Sequence, residues 1–204
     1  METQYWGWNP ATIGFIGTII FTLWQGWGYI QQIKAVDRSV DSISLPFFAL
    51  SACAFCMAFV FGLATGRIAM IVNGTLAVLH LPIILAVGRI RGFSKPERLL
   101  LLALTAAVVI DIVLPLKGEL MTLFAFGWVI GGGMQLARVW QSRSAGDLEP
   151  RLITAMLVAT IFWAVYSFAT HNVPIMIIAP INLVLIGLTL YLLFKYPSVK
   201  ASSP

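Results

Sequence analysis

Seven apolar runs divide the chain, at about Ala11–Gln31, Leu45–Thr65, Arg67–Val87, Leu99–Leu116, Leu120–Val139, Leu152–Thr170 and Val173–Phe194. None alternates apolar and polar residues at a period of two, as a strand of a membrane barrel does. A run of about 20 residues wound into a helix crosses roughly 30 Å of hydrocarbon. The pattern therefore predicts an all-α membrane protein with seven transmembrane helices. The third run has a polar interruption in its middle, Asn73, and the seventh has another, Asn182, at a similar depth. A buried amide without a partner costs about 1–3 kcal/mol, so two of them at matching depth call for a reason.

Composition agrees with the pattern. Of 204 residues, 59 % are hydrophobic and only 10 % charged, with a mean hydropathy of +0.91; soluble domains carry about 25 % charged residues. The formal net charge of +5 would suggest nucleic acid in a soluble chain, but its placement points to membrane topology instead. Lys34, Arg38, Arg89, Arg91, Lys95, Arg98, Arg138, Arg143, Arg151, Lys195 and Lys200 fall in alternate connections and the tail; Arg67 and Lys117 alone fall on the other side. The positive-inside rule then places the N-terminus outside and the C-terminus in the cytoplasm of a cell membrane. No cleavable leader is expected, because the start lacks a basic segment and a small-residue cleavage site. Cys53 and Cys56 are the two cysteines and make neither a disulfide framework nor a zinc site; one helical face shared at i and i+3 suits packing.

An internal repeat runs through the chain. Trp24 and Trp128 are 104 residues apart, as are Gln31 and Gln135, Lys34 and Arg138, and Pro46 and Pro150. The offset is 105 at Leu63-Ala64-Thr65 against Phe168-Ala169-Thr170, and 109 at Asn73 against Asn182, where the outer turn is longer. Helices one to three thus repeat as five to seven, and helix four keeps the two copies in one orientation, as parallel repeats require. The expected division is residues 1–93 for the first three-helix bundle, 94–117 for the linker helix, and 118–204 for the second bundle with a short cytoplasmic tail.

With that plan the chain resembles the PQ-loop/SWEET superfamily. Ile71-Val72-Asn73-Gly74-Thr75 resembles the third-helix signature of SWEET sugar transporters, and Arg38-Ser39-Val40-Asp41-Ser42-Ile43-Ser44 the basic-Ser turn after a PQ motif. Met134-Gln135 with Arg143-Ser144-Ala145-Gly146 has that motif's spacing, and Trp163-Ala164-Val165-Tyr166 resembles the sixth-helix W-x-x-Y-G box. The proline of the PQ pair is absent from both halves, which read Ile30-Gln31 and Met134-Gln135, and Ala58 stands opposite Trp163. Gly26, Gly28 and Gly131-Gly132-Gly133 offer bending or close helix contact in the same helices. The resemblance implies a three-plus-one-plus-three transporter fold, with Pro46, Pro150, Gln31 and Gln135 as a hinge set. It also implies a solute site between the bundles. Trimers occur among similar proteins, although two repeats complete a path within one chain.

The candidate chemistry each has a plainer alternative. Asn73 and Asn182 can hydrogen-bond a hydroxylated or amide-bearing solute at mid-membrane, or merely join helices. Trp163, Trp24 and Trp128 offer flat faces for a sugar ring, or packing. His80, seven residues after Asn73 on the same face, is a candidate for proton coupling or gating, or a neutral core histidine. Asp111, inside the fourth run, is either functional or peripheral. Asp37, Asp41 and Asp147 are inner-gate ion pairs or ordinary loop charges; among similar proton-coupled proteins an acid near the Asp41 turn takes part in coupling.

No nucleophile–base constellation, carboxylate pair or phosphate loop is present, so no enzyme, metal or cofactor is expected, and the partners are a small polar solute and the lipid bilayer, not nucleic acid. The leading expectation is a transporter of a small polar solute, sugar first and amino acid next, by alternating access. Its alternatives are a proton-coupled amino-acid or metabolite transporter and a membrane receptor of KDEL-receptor type.

Overall fold

The computed structural model describes residues 6–36, 40, 42–114 and 117–197. Among these are eight α-helices: α1 (Pro10–Val36), α2 (Leu45–Thr65), α3 (Ile68–Gly74), α4 (Ala77–Arg91), α5 (Lys95–Val113), α6 (Lys117–Ser142), α7 (Pro150–Ala169) and α8 (Val173–Lys195). Local chemistry sets the ends. Ser44 caps α2, its hydroxyl accepting from the Phe47 N–H, with Pro46 in the first turn. Gly66 closes α2 in the left-handed region at φ 66°, where a Cβ would be strained. At the start of α5 the Glu97 carboxylate accepts from the Ser94 N–H at 2.9 Å and holds Arg91 at 2.6 and 3.0 Å.

The third apolar run differs from expectation: it is two helices, broken at Thr75 and Leu76. There the backbone tightens to i→i−3 bonds, Leu76 to Asn73, Val78 to Thr75 and Leu79 to Leu76. The weak helix former Gly74 stands just before the break; Pro82 lies beyond it within α4, where its missing N–H leaves the Val78 carbonyl without its helical partner. The His80 ring lies against the break, Nδ1 2.9 Å from the Leu76 carbonyl.

Six spans, with α3 and α4 taken together as one, are long and apolar enough to cross a membrane. The helix over the fourth run, α5, is outside that set because it carries Lys95, Glu97, Arg98 and Asp111. The sides of the bundle are what a bilayer requires. α1 exposes Ile13, Ile16, Ile20, Leu23 and Trp27, and α8 exposes Ile177, Ile181, Val184, Leu188 and Tyr191, each a stripe at helical spacing. The protein is a multi-pass integral membrane protein.

The helices pack in matching pairs. α1 lies along α7, and α2 along α6; α3 and α4 contact both α1 and α2, while α8 contacts both α6 and α7. α5 packs mainly on α2, through Leu104 against Cys53 and Met57. Glycines allow helices to approach closely: a Cβ on Gly28 would stand 2.8 Å from the Leu152 Cα, and one on Gly131 3.1 Å from the Phe47 Cα. These two contacts correspond, but Gly28 and Gly131 are 103 residues apart while Phe47 and Leu152 are 105. The largest buried cluster lies toward the end with the basic turns, from Tyr29 and Phe48 to Leu152 and Tyr196.

Candidate functional site

A cavity of about 60 Å³ lies where α2, α3, α6, α7 and α8 meet. Asn73 and Asn182 both line it, together with Trp163 and Trp128. The rest of the wall is Thr160 and apolar side chains such as Phe55, Ala58 and Met121, with no charged residue among them. At ~10–15 Å³ per water centre the space holds roughly four to six waters. Asn73 Oδ1 accepts a long 3.4 Å bond from the Thr22 hydroxyl of α1, so the amide joins helices and lines the cavity at once. Trp163 is buried against Tyr166, ring centroids 5.8 Å apart, and its indole N–H has no hydrogen-bond partner. An apolar chamber with two amides and a free indole donor can bind hydroxyls, and offers nothing to neutralise a charge.

Trp24 is not among the lining residues; it lies edge-on to Phe21 at 5.8 Å. The reason is register. The contacts of α1 and α6 match at an offset of 103, so Trp128 corresponds to Gln25 rather than to Trp24, and one residue turns a helix by about 100°.

The same slip corrects Gln31. Gln135 accepts from the Ser44 N–H at 3.0 Å and donates to the Ser42 carbonyl at 3.0 Å, in the α1–α2 turn. Its counterpart is Gln32, which accepts from the Glu149 N–H and donates to the Asp147 carbonyl, both at 2.8 Å, in the α6–α7 turn. Gln31 is only half-buried. Each glutamine thus ties the first helix of one half to the turn of the other. Ser42 adds a third tie, its hydroxyl accepting from the Asp147 N–H at 2.8 Å. Pro46 and Pro150 both stand in first turns, of α2 and α7, where the missing N–H is an orphan in any case and the ring bends nothing.

His80 is fully buried below the cavity, its ring centroid 4.4 Å from Tyr29 and 5.2 Å from Phe55. Asp111 is buried away from the cavity lining, on α5, rather than reaching outward. Cys53 is buried between α2 and α5, its thiol 3.8 Å from the Leu104 carbonyl, a packing role; Cys56 is half-buried. Asp147 lends backbone groups to the α6–α7 turn. Asp37 and Asp41 lie outside the described residues. Thr22, Gln32 and Ser42 are the residues the sequence reading passed over; a polar side chain within or just beyond an apolar run was the available signal.

No family model and no curated protein matches the chain. The fold is similar to the solved structure of a eukaryotic SWEET transporter, at a TM-score of 0.60 and 20 % identity, over 92 % of this chain and 96 % of that one. The chain has the fold of a SWEET transporter.

Proposed function

We propose that the protein carries a small neutral, hydroxyl-bearing solute, a sugar first, through the membrane by alternating access between two three-helix units. In this reading residues 1–93 and 118–204 are the parallel units and 94–117 the linker helix. The observation that carries it is the cavity where both units meet, with an Asn from each, Trp163 and Trp128 in its wall and no charged side chain. The amides and the indole N–H supply donors and acceptors for hydroxyls, and the aromatic faces stack on a ring. The solved SWEET transporter of like fold supports the class. An amino acid ranks second, since both of its charges would enter a wall with no counter-charge. A receptor for a peptide terminus ranks third, for want of a Lys or Arg in the wall. The reading takes the C-terminus and the glutamine ties as cytoplasmic, which the basic turns support through the positive-inside rule.

The test is uptake into proteoliposomes of labelled hexoses, disaccharides, polyols, amino acids and nucleosides, with and without a pH gradient. Asn73→Ala/Asn182→Ala serves as the site variant. Uptake of a neutral hydroxylated solute by the wild type, lost in the variant, is the expected result. A gradient requirement would bring in His80 and Asp41. Transport of a charged solute alone, or equal uptake by the variant, overturns the reading.

A further inference from the structure

Beneath the cavity, toward the basic end, is a layer of buried polar groups that are poorly bonded. Ser51 Oγ on α2 and His80 Nε2 on α4 are buried without a hydrogen-bond partner, and Tyr29 Oη and Gln25 Nε2, buried one turn apart on α1, have at best a weak bond to each other. They are gathered in one place. The His80 ring contacts Tyr29 at 4.4 Å, Phe55 at 5.2 Å and Phe48 at 6.1 Å. Helical spacing puts Ser51 between Phe48 and Phe55 on the same face of α2, and Gln25 one turn before Tyr29. Buried polar atoms are nearly always paired, so a layer this poorly bonded marks groups that find partners in another state.

One side chain separates this layer from the cavity. Phe55 lines the cavity and touches His80 from the other side. It meets Trp128 edge-on at 5.0 Å, and that pair bridges α2 and α6. His80 lies seven residues below Asn73, or about 10 Å along a helix. Parting of α2 and α6 at the basic end, with the Gln32 and Gln135 ties released, would open the Phe55–Trp128 floor onto the layer.

We propose that Gln25, Tyr29, Ser51 and His80 form a second, inner subsite, which takes the hydroxyls of the transported solute after it leaves the Asn73–Asn182 cavity. The proposal rests on the transport reading above. The subsite is one-sided, built by the first three-helix unit alone, since its four groups come from α1, α2 and α4. Its neutral donors and acceptors match the hydroxyl chemistry of the upper cavity, so a solute is passed between like sites.

Tyr29→Phe/Ser51→Ala removes two hydroxyls with little change of shape. The solute is whichever neutral member of the panel the wild type carries. Equilibrium binding in detergent, followed by tryptophan fluorescence, should stay within about twofold of wild type, because the upper cavity is intact. Uptake into proteoliposomes should fall about tenfold, the scale of one or two lost hydrogen bonds to neutral groups. The thermal unfolding midpoint should hold, since Ser51 Oγ is unsatisfied at rest and Tyr29 Oη meets only Gln25, weakly. A lowered midpoint would show that the hydroxyls are bonded at rest, as by ordered water, and overturns the proposal; so does uptake at the wild-type rate. A wild type that carries nothing from the panel takes down the transport reading and this proposal with it, whereas a transporting wild type matched by the double variant takes down the subsite alone.

Discussion

Replacing Gln135 by Leu would strand the Ser44 N–H and the Ser42 carbonyl, both in buried bonds. Each orphaned backbone group costs about 1–3 kcal/mol, so Gln135→Leu should lower the unfolding midpoint in detergent by several degrees. Gln32→Leu should act in the same direction with a smaller effect, because its bonds are partly exposed. Gln31→Leu should do almost nothing. Thermal scans of the three variants check the assignment, and a Gln31 effect equal to that of Gln135 would restore the 104-residue register. At this scale the sequence was legible where a polar residue stood alone in an apolar run: Asn73 and Asn182 were found that way, and both line the cavity. Between adjacent glutamines or near tryptophans it was not legible. In a membrane helix the lipid face is as apolar as the core, so hydrophobicity does not say which of Gln31 and Gln32 points inward. On α1 the inward face is the one with Gly14, Gly17, Thr18, Gln25 and Gly28, and the large apolar residues face out.

At the scale of elements, the start of α5 shows how a connection is fixed by charge. The two-pronged Arg91 bond, aided by the Ser94 N–H and hydroxyl, draws the Glu97 carboxyl from its ordinary 4.5 down to about 2. A carboxylate with a depressed value stabilises the fold above the unfolded value, and that contribution is lost as pH falls from 4.5 through about 2. The α5 cap and ion pair are solvent-facing, so their joint worth is about 1 kcal/mol. Glu97→Gln should therefore lower the unfolding midpoint modestly at pH 7, and the gap from wild type should close between pH 4.5 and 2. A gap that persists at pH 2 would mean the side chain acts through packing rather than charge. The seven runs located the helices well, because long apolar stretches bounded by Pro, Gly and charge leave few alternatives. The break at Thr75–Leu76 was missed, since a single Gly leaves the hydropathy of an apolar run unchanged and a tightened turn has no other mark in the sequence.

At the scale of the whole molecule, the cavity is lopsided: Ala58 stands where the second half has Trp163, and both line it. Ala58→Trp should fill the roughly 60 Å³ void and abolish uptake while leaving a folded, monodisperse protein. Uptake in liposomes beside a thermal scan separates blockage from unfolding, and a transporting Ala58→Trp variant would move the path away from this cavity. The amino-acid sequence by itself determined that the chain lives in a bilayer, how many apolar segments it has, and which end carries the positive charge. These are matters of length, hydropathy and counting, and they survive any arrangement of the helices. Only the tertiary structure decided which helix faces which, with α1 on α7 and α2 on α6. It alone set the 103-residue register that puts Gln32, not Gln31, at the second half's turn, and it alone gathered Tyr29, Phe55 and His80 into one layer. The physical reason is that packing in lipid is selected by small residues and paired polar groups rather than by burial of apolar surface, and those pairings join residues more than a hundred positions apart.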